Sequence, residues 1–509
     1  MGHLAILPVL IPFVAGALIL LVERRGLYWQ RAVSGLALAA LLVAAGALVN
    51  VADRGELIVY LVGDWPARLG IALVVDRVNA LMVMTTALLA VATLLYACAG
   101  WDKRALHFHA LLQLQLAGLN GAFLTGDLFN LFVFFEVLLI ASYGLLLSGG
   151  HRLRMLSGMH YVIFNIMAST LFLIALGLLY GMTGTLNMAE MALRISQASA
   201  QDIGLLRAAS GILLVVFCAK AALLPLYLWL PETYARAPAS VVALFTVMTK
   251  VGVYAVLRVY TLVFGLEGSA LAGWAWDWLL PAGLLTLLVA ALGALAGRTL
   301  GGTVSYLVIA SAATLFVAFA LHTPESVSAG LYYLVHSTFV TAALFLIVDL
   351  IRRQRGTLGG ELRLPAPMGA RILLGLLFLV ACVSVAGLPP LSGFVGKLLL
   401  LDAVPSAHVS WVWSVVLLTS LMTLVALSRC GSQIFWRATP FRSGDLIPAP
   451  PRTLEISACL LLLGYGIALS LGAGPVLRYT QAAAAQILDP AHYVEQVRAT
   501  APQSRAPSP

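Results

Sequence analysis

Fourteen stretches of about twenty apolar residues run almost end to end through this chain, and no other feature constrains its fold as strongly. A hydrocarbon core of roughly 30 Å takes about 20 residues of helix to cross. Inside lipid, only helices and closed barrels satisfy every backbone N–H and C=O. The stretches lie near 4–22, 32–50, 73–98, 106–125, 128–147, 160–181, 209–230, 240–263, 278–297, 303–321, 329–351, 372–401, 411–434 and 454–475. They are continuous, without the ten-residue alternation of a barrel. The reading is an all-α polytopic membrane protein of about 14 transmembrane helices. At 61% hydrophobic and 10% charged residues, the composition lies far outside that of soluble domains. The first stretch lacks a basic start and a small-residue cleavage site, so it reads as a helix that stays.

The net charge of +9 could suggest nucleic acid as a partner, but the basic residues are distributed for topology. Connections after odd-numbered stretches hold ERRGLYWQR, WDKR, HRLR, IRRQRG and SRCGSQIFWRATPFR; those after even-numbered stretches hold few Lys or Arg. The positive-inside rule then puts the odd loops in the cytoplasm of a bacterial inner membrane and both termini outside. Cys98, Cys218, Cys382, Cys430 and Cys459 are scattered without CxxC spacing, which gives no expectation of a metal, cofactor or disulfide framework. No connection is long enough for a nucleotide-binding fold, and no phosphate-cradling glycine loop occurs. The chemistry is therefore expected inside the bilayer.

Of the thirty Lys and Arg residues only four are Lys, and three of those, Lys220, Lys250 and Lys397, fall within apolar stretches. Arginine keeps its proton under ordinary conditions, whereas a desolvated lysine can gain and lose one near neutrality. Each buried Lys costs about 2.5–3.5 kcal/mol at a helix centre. Counted from the expected helix starts, Lys220 and Lys250 lie about 14–15 Å deep. Snorkelling to an interface suits a lysine near a helix end, not one at that depth. Glu136, in LFNLFVFFEVLLIASYGLLL, is the acid at similar depth, and His336, in LYYLVHSTFVTAALF, can relay protons or be a hydrogen-bonded core histidine. Asp349 beside Arg352 and Arg353 reads as a surface pair. Asp76 with Arg77 at the start of the third stretch reads the same way, and Arg258 as a structural or exit group.

Two stretches carry helix breakers. Pro225 interrupts the seventh, and Pro389 with Pro390 the twelfth, each within a few residues of a buried lysine. Such breaks free carbonyls that lipid cannot satisfy, so protein or water must line them. The reversed order of lysine and proline, five stretches apart, suggests two inverted five-helix repeats. The resulting plan is a group of N-terminal helices over 1–105, a first repeat 106–263, a second, inverted repeat 278–437, a C-terminal helix 438–479 and a flexible tail 480–509.

The segments TGDLFNLFVFFEVLLIASYGLLL, FCAKAALLPLYLWLPETYARAPASVVALFTVMTKVGVYAVLR and VAGLPPLSGFVGKLLLL resemble the antiporter-like membrane subunits shared by respiratory complex I and the Mrp (Pha) multisubunit cation/proton antiporters. The resemblance is strongest over about 105–437, and GDLFNLFVFFE and SQIFWR are most similar to the Mrp D subunits. It implies a proton-translocating subunit of a Na+ or K+/proton antiporter, partnered by other hydrophobic subunits. It also implies Glu136 paired with Lys220 as an adjustable ion pair, Lys250 as central relay, His336 as a bridging group and Lys397 as the terminal proton site. The alternative is a proton-pumping subunit of complex I or a membrane-bound hydrogenase. A stand-alone carrier or a passive helix bundle would be indifferent to loss of the lysines. Two departures stand out: Gly301 and Gly302 occupy a loop that is basic in many relatives, and Val340 replaces a lysine found in some.

Overall fold

The computed structural model describes residues 2–67, 70–150, 152–362, 365–441 and 448–502, and it is mostly helical. The chain opens with α1 (Leu7–Val22) and α2 (Leu27–Asp53), followed by an antiparallel pair, β1 (Ile58–Leu61) and β2 (Ala72–Val75), with Ile58 opposite Val75. Next come α3 (Arg77–Cys98), α4 (Phe108–Leu124) and α5 (Leu128–Leu147). Asp76 and Asp127 cap α3 and α5 by accepting from the N–H of Asn79 at 2.9 Å and of Asn130 at 2.8 Å.

The middle of the chain forms α6 (Arg152–Thr183), a short α7 (Met188–Ser196), α8 (Ile203–Lys220), α9 (Trp229–Arg236), α10 (Ala239–Phe245) and α11 (Met248–Leu262). After these follow α12 (Trp274–Ala296), α13 (Leu300–Ala320), α14 (Pro324–Gln354), α15 (Arg371–Ala386), α16 (Ser392–Asp402) and α17 (Val409–Gly431). The chain ends in α18 (Thr453–Leu471), α19 (Ala473–Ile487) and α20 (Pro490–Ala499).

Twelve helical stretches among the described residues are long and apolar enough to cross a membrane. The two other expected crossings are α4, which has 17 residues, and the stretch split into α15 and α16. Burial sorts the helices into layers. The apolar window of α10–α11 is completely buried and that of α14 is 94% buried, against 28% for α1 and for α17. The first two are therefore central, and the latter turn large apolar side chains such as Leu18, Leu417 and Leu421 outward, as a lipid-facing surface requires. The expected crossing at 240–263 loosens at Thr246–Val247, where the Thr246 hydroxyl donates to the Ala243 carbonyl at 2.7 Å in competition with the helix ladder.

Two expectations are corrected. Asp76 is not on the surface: it is 2% exposed, and its Oδ2 lies 2.5 Å from Nη2 of Arg258, itself 4% exposed. The same guanidinium donates to Asn79 Oδ1 at 2.7 Å and lies beside the rings of Tyr254 and Tyr493. Its partner is far away in sequence, so Asp76 read alone looks like an ordinary helix cap. The stretch from 480 onward is helical through Ala499, not loose. Alanine-rich sequence forms helix readily, and Ala483, Ala484 and Ile487 of α19 and Tyr493, Val494 and Val497 of α20 are buried. Ser328 and Thr480 share a hydrogen bond of 2.9 Å that ties α19 to α14. Residues 503–509 lie outside the described residues.

Removing one partner of a buried ion pair leaves a bare charge. Arg258→Ala is therefore expected to destabilise the protein by about 3–5 kcal/mol, read by thermal unfolding in detergent, and Arg258→Ala combined with Asp76→Asn is expected to recover some of the loss.

Candidate functional site

The first half of the site forms where α8 stops. Lys220 is its last residue, and the chain then breaks through Pro225 before α9. Two groups satisfy the break: Thr286 Oγ1 accepts from the Leu224 N–H at 3.0 Å, and the Ala219 carbonyl accepts from Trp229 Nε1 at 3.1 Å. Lys220 is buried, and its amine donates to Asn165 Oδ1 at 3.2 Å and Ser169 Oγ at 3.5 Å, both on α6. The Ser169 hydroxyl donates in turn to Oε1 of Glu136 on α5. Glu136 and Lys220 are thus brought together, but through one hydroxyl and not as the direct pair the resemblance implies. The ring of Phe135 lies 5.9 Å from the amine.

Lys250 sits near the start of α11 and is completely buried. Its amine donates to Ser311 Oγ on α13 at 2.7 Å. Gly252, two residues on, lets this helix lie against the α8 break, since a Cβ there would fall 2.7 Å from the Ala221 nitrogen. The α11 backbone that carries Lys250 thus packs against the α8 break, on the side opposite the amine, which turns toward Ser311.

The second break lies between α15 and α16. α15 ends at Ala386, and Gly387, with φ of +79°, turns the chain into Pro389 and Pro390. Lys397, half-buried on α16, reaches back to the carbonyls this break leaves free, donating to Ala386 O at 3.0 Å and Val385 O at 3.4 Å, and to Ser420 Oγ on α17 at 3.0 Å. A cavity of about 30 Å³ adjoins the amine, lined also by Thr314, Tyr333, Thr419 and Thr423, which is room for a single water with polar partners. His336 on α14 is buried, its Nδ1 is 2.8 Å from Ser392 Oγ at the start of α16, and its Nε2 would be 2.9 Å from a Cβ on Gly393.

Sequence reading does not find Asn165, Ser169, Ser311, Ser392 or Ser420, which supply the hydrogen-bond partners. A signal exists for the first two: in NIMAST they are the polar residues one helical turn apart in an apolar run, so they share a face. Ser311 and Ser420 carry no such mark, because serine is common in membrane helices. At Gly301 and Gly302 the chain opens a cavity of about 620 Å³, lined also by Glu232, Tyr306 and Glu361. Val340 is buried and puts no titratable group one turn beyond His336.

Cys98, Asp102 and His109 form the one cluster of His, Cys, Asp and Glu side chains with metal-like spacing among the described residues. Arg31 already clamps both Asp102 oxygens, at 2.6 and 2.9 Å, and His109 Nε2 is 3.3 Å from Oδ2. Burial pushes the Asp102 carboxyl up, but the His109 and Arg31 contacts outweigh it and hold the group down at about 2. A carboxylate occupied in this way fits an ion pair tying α2 to the α3–α4 turn.

Removing the hydroxyl that joins acid to amine tests the linkage. Ser169→Ala is expected to cut any activity that runs through this linkage roughly tenfold, the value of one charge-assisted hydrogen bond, with little change in thermal stability. Ser169→Thr should keep activity, and equal activity of the two variants would mean the hydroxyl is not the link.

The family described as NADH:quinone oxidoreductase/Mrp antiporter, transmembrane, matches residues 125–423. A relative from Rhizobium meliloti, named as the probable D subunit of a K(+)/H(+) antiporter, is 38% identical, with 98% of each chain covered. The D subunit of the Na(+)/H(+) antiporter of Bacillus subtilis is 36% identical over 98% of this chain and 99% of its own. The solved Mrp complex from Dietzia sp. contains a chain that superposes with a TM-score of 0.87 at 27% identity, over 98% of this chain and 100% of that one. The chain belongs to the membrane-subunit family shared by NADH:quinone oxidoreductase and the Mrp antiporters.

Proposed function

We propose that this chain is the proton-translocating subunit of a multisubunit monovalent cation (Na+ or K+)/proton antiporter in a bacterial plasma membrane, its arginine-rich end toward the cytoplasm. One observation carries the reading. Among the described residues, the amines of Lys220, Lys250 and Lys397 donate only to neutral oxygens, whereas the buried Arg258 has a carboxylate of its own. A fixed counter-charge would lock an amine in its protonated form; neutral acceptors in an apolar interior leave both forms accessible.

The acceptors suit both forms. As an ammonium group, Lys397 uses all three N–H donors, on two carbonyls and Ser420. As a neutral amine it keeps two donors for the carbonyls and accepts from the Ser420 hydroxyl, which rotates to donate. Ser311 can do the same for Lys250, and Ser169 for Lys220. A proton taken by Glu136 removes the charge to which Ser169 donates and weakens the hold on the Lys220 proton. The changed field acts next on Lys250, carried by α11, which packs against the α8 break. From there the Thr314–Tyr333 wall and the small cavity lead to Lys397, with His336 and Ser392 alongside. The cation path belongs to partner subunits in this proposal, because the lysine chain offers no set of carboxylate oxygens for Na+ or K+.

The test is antiport in everted vesicles carrying the chain with the products of its flanking reading frames. Lys220→Ala and Glu136→Ala are expected to abolish Na+- or K+-dependent proton movement while the protein still inserts. Lys397→Arg keeps the charge but removes the exchangeable proton, and is expected to fail as well. Normal antiport in any of the three would contradict the proposal.

A further inference from the structure

The arginine-rich end holds a second polar cavity, of about 290 Å³, that the lysine chain does not use. Its walls come from the end of α3 and the loop after it, the start of α6, the α9–α10 turn, the end of α14 and the start of α18. Five arginines line it, Arg104, Arg154, Arg352, Arg353 and Arg452, together with Asp349 and Glu455.

Both acids are already engaged. Arg353 is 3.2 Å from Asp349 Oδ2 and 2.9 Å from Glu455 Oε1, and the Tyr96 hydroxyl donates to Asp349 at 2.7 Å. Arg154 is steadied by neutral acceptors, Ser148 O at 2.8 Å and Arg236 O at 3.1 Å, and stacks 5.4 Å from the centre of the Trp101 ring. Arg104, Arg352 and Arg452 have no acidic partner among the described residues. Trp101, another lining residue, has a buried indole N–H without an acceptor. Topology alone explains why arginines gather at this end of the bundle. It does not explain a cavity in which both acids are paired and donors are left over.

Guanidinium forks without counter-ions, converging on one space, are the chemistry that recognises an oxyanion with several acceptor oxygens. We propose that this cavity binds a phosphate group, supplied either by the headgroup of an anionic phospholipid or by free inorganic phosphate. At roughly 30 Å³ per water, the volume takes a phosphate together with several waters. The bound group would tie α6 and the α9–α10 turn to α14 and α18. It would thereby hold together, at one end, the helices that carry Ser169 and His336 and the turn that leads toward Lys250. This site does not depend on the lysine chain carrying protons, and its test reads binding, not transport.

The test uses the full-length chain purified with its accompanying subunits. The double variant Arg104→Gln/Arg452→Gln removes two exposed groups without acidic partners, so folding is spared; Arg298→Gln, an exposed arginine at the same end but outside the cavity, is the comparator. Native mass spectrometry after delipidation reads retained anionic phospholipid, and equilibrium binding of radiolabelled inorganic phosphate at fixed ionic strength reads the free ion. Loss of bound lipid, or roughly tenfold or greater weakening of phosphate binding, in the double variant only, supports the site and identifies the source. Equal loss in Arg298→Gln, no ligand in either arm, or an acidic segment of a neighbouring subunit filling the cavity would overturn it.

Discussion

The hydrogen bond between a buried amine and a neutral oxygen is the interaction on which the rest of this structure depends. Each such lysine costs about 2.5–3.5 kcal/mol to place at the centre of an apolar helix, and a carboxylate in contact would be the ordinary way to offset that. The chain does use that solution, at Arg258 and Asp76, where the cation is an arginine whose charge never changes. At Lys220, Lys250 and Lys397 it uses amides, hydroxyls and carbonyls instead. The two chemistries lie within one bundle: a cation paired with a carboxylate, and amines held only by neutral acceptors, which in the proposed function are the ones that exchange protons.

The helix breaks follow from the same requirement. A continuous helix consumes its own carbonyls, so an amine beside it finds few acceptors. Stopping α15 at Ala386 frees two carbonyls, and α16 returns Lys397 to them from the far side of Pro389 and Pro390. Stopping α8 at Lys220 places that amine at a helix end, where Asn165 and Ser169 of the neighbouring α6 reach it. Close packing at Gly393 brings His336 to the second break, and close packing at Gly252 seats the backbone of α11, which carries Lys250, against the first. Backbone geometry and the hydrogen bonding of the amines are in this sense one design.

Much of this is legible in the sequence because the signals are local. Continuous apolar runs mark helices by length alone, prolines mark breaks, and a lysine in an apolar run is conspicuous against a background of arginines. The partners of those lysines are less visible. Ser311 and Ser420 are small, common residues whose meaning comes only from helices packed beside them, and Ser169 matters because it stands between two residues from other helices. Asp76 misleads for the same reason: a helix cap is a local pattern, whereas burial against Arg258 is a tertiary one. The helical 480–499 segment escapes a reading by composition alone, which does not ask which face of an alanine-rich helix can be buried.

With only four lysines, the chain is suited to a direct reading of their charge. Lysine-selective isotope labelling, with Lys103→Arg to remove the loop signal, leaves three side-chain amines to be followed by nitrogen magnetic resonance in lipid bilayers. Under an imposed proton gradient the account predicts that Lys220, Lys250 and Lys397 each populate both ammonium and neutral amine forms. Three signals that remain ammonium under every condition would contradict it and leave the lysines as fixed elements of the scaffold.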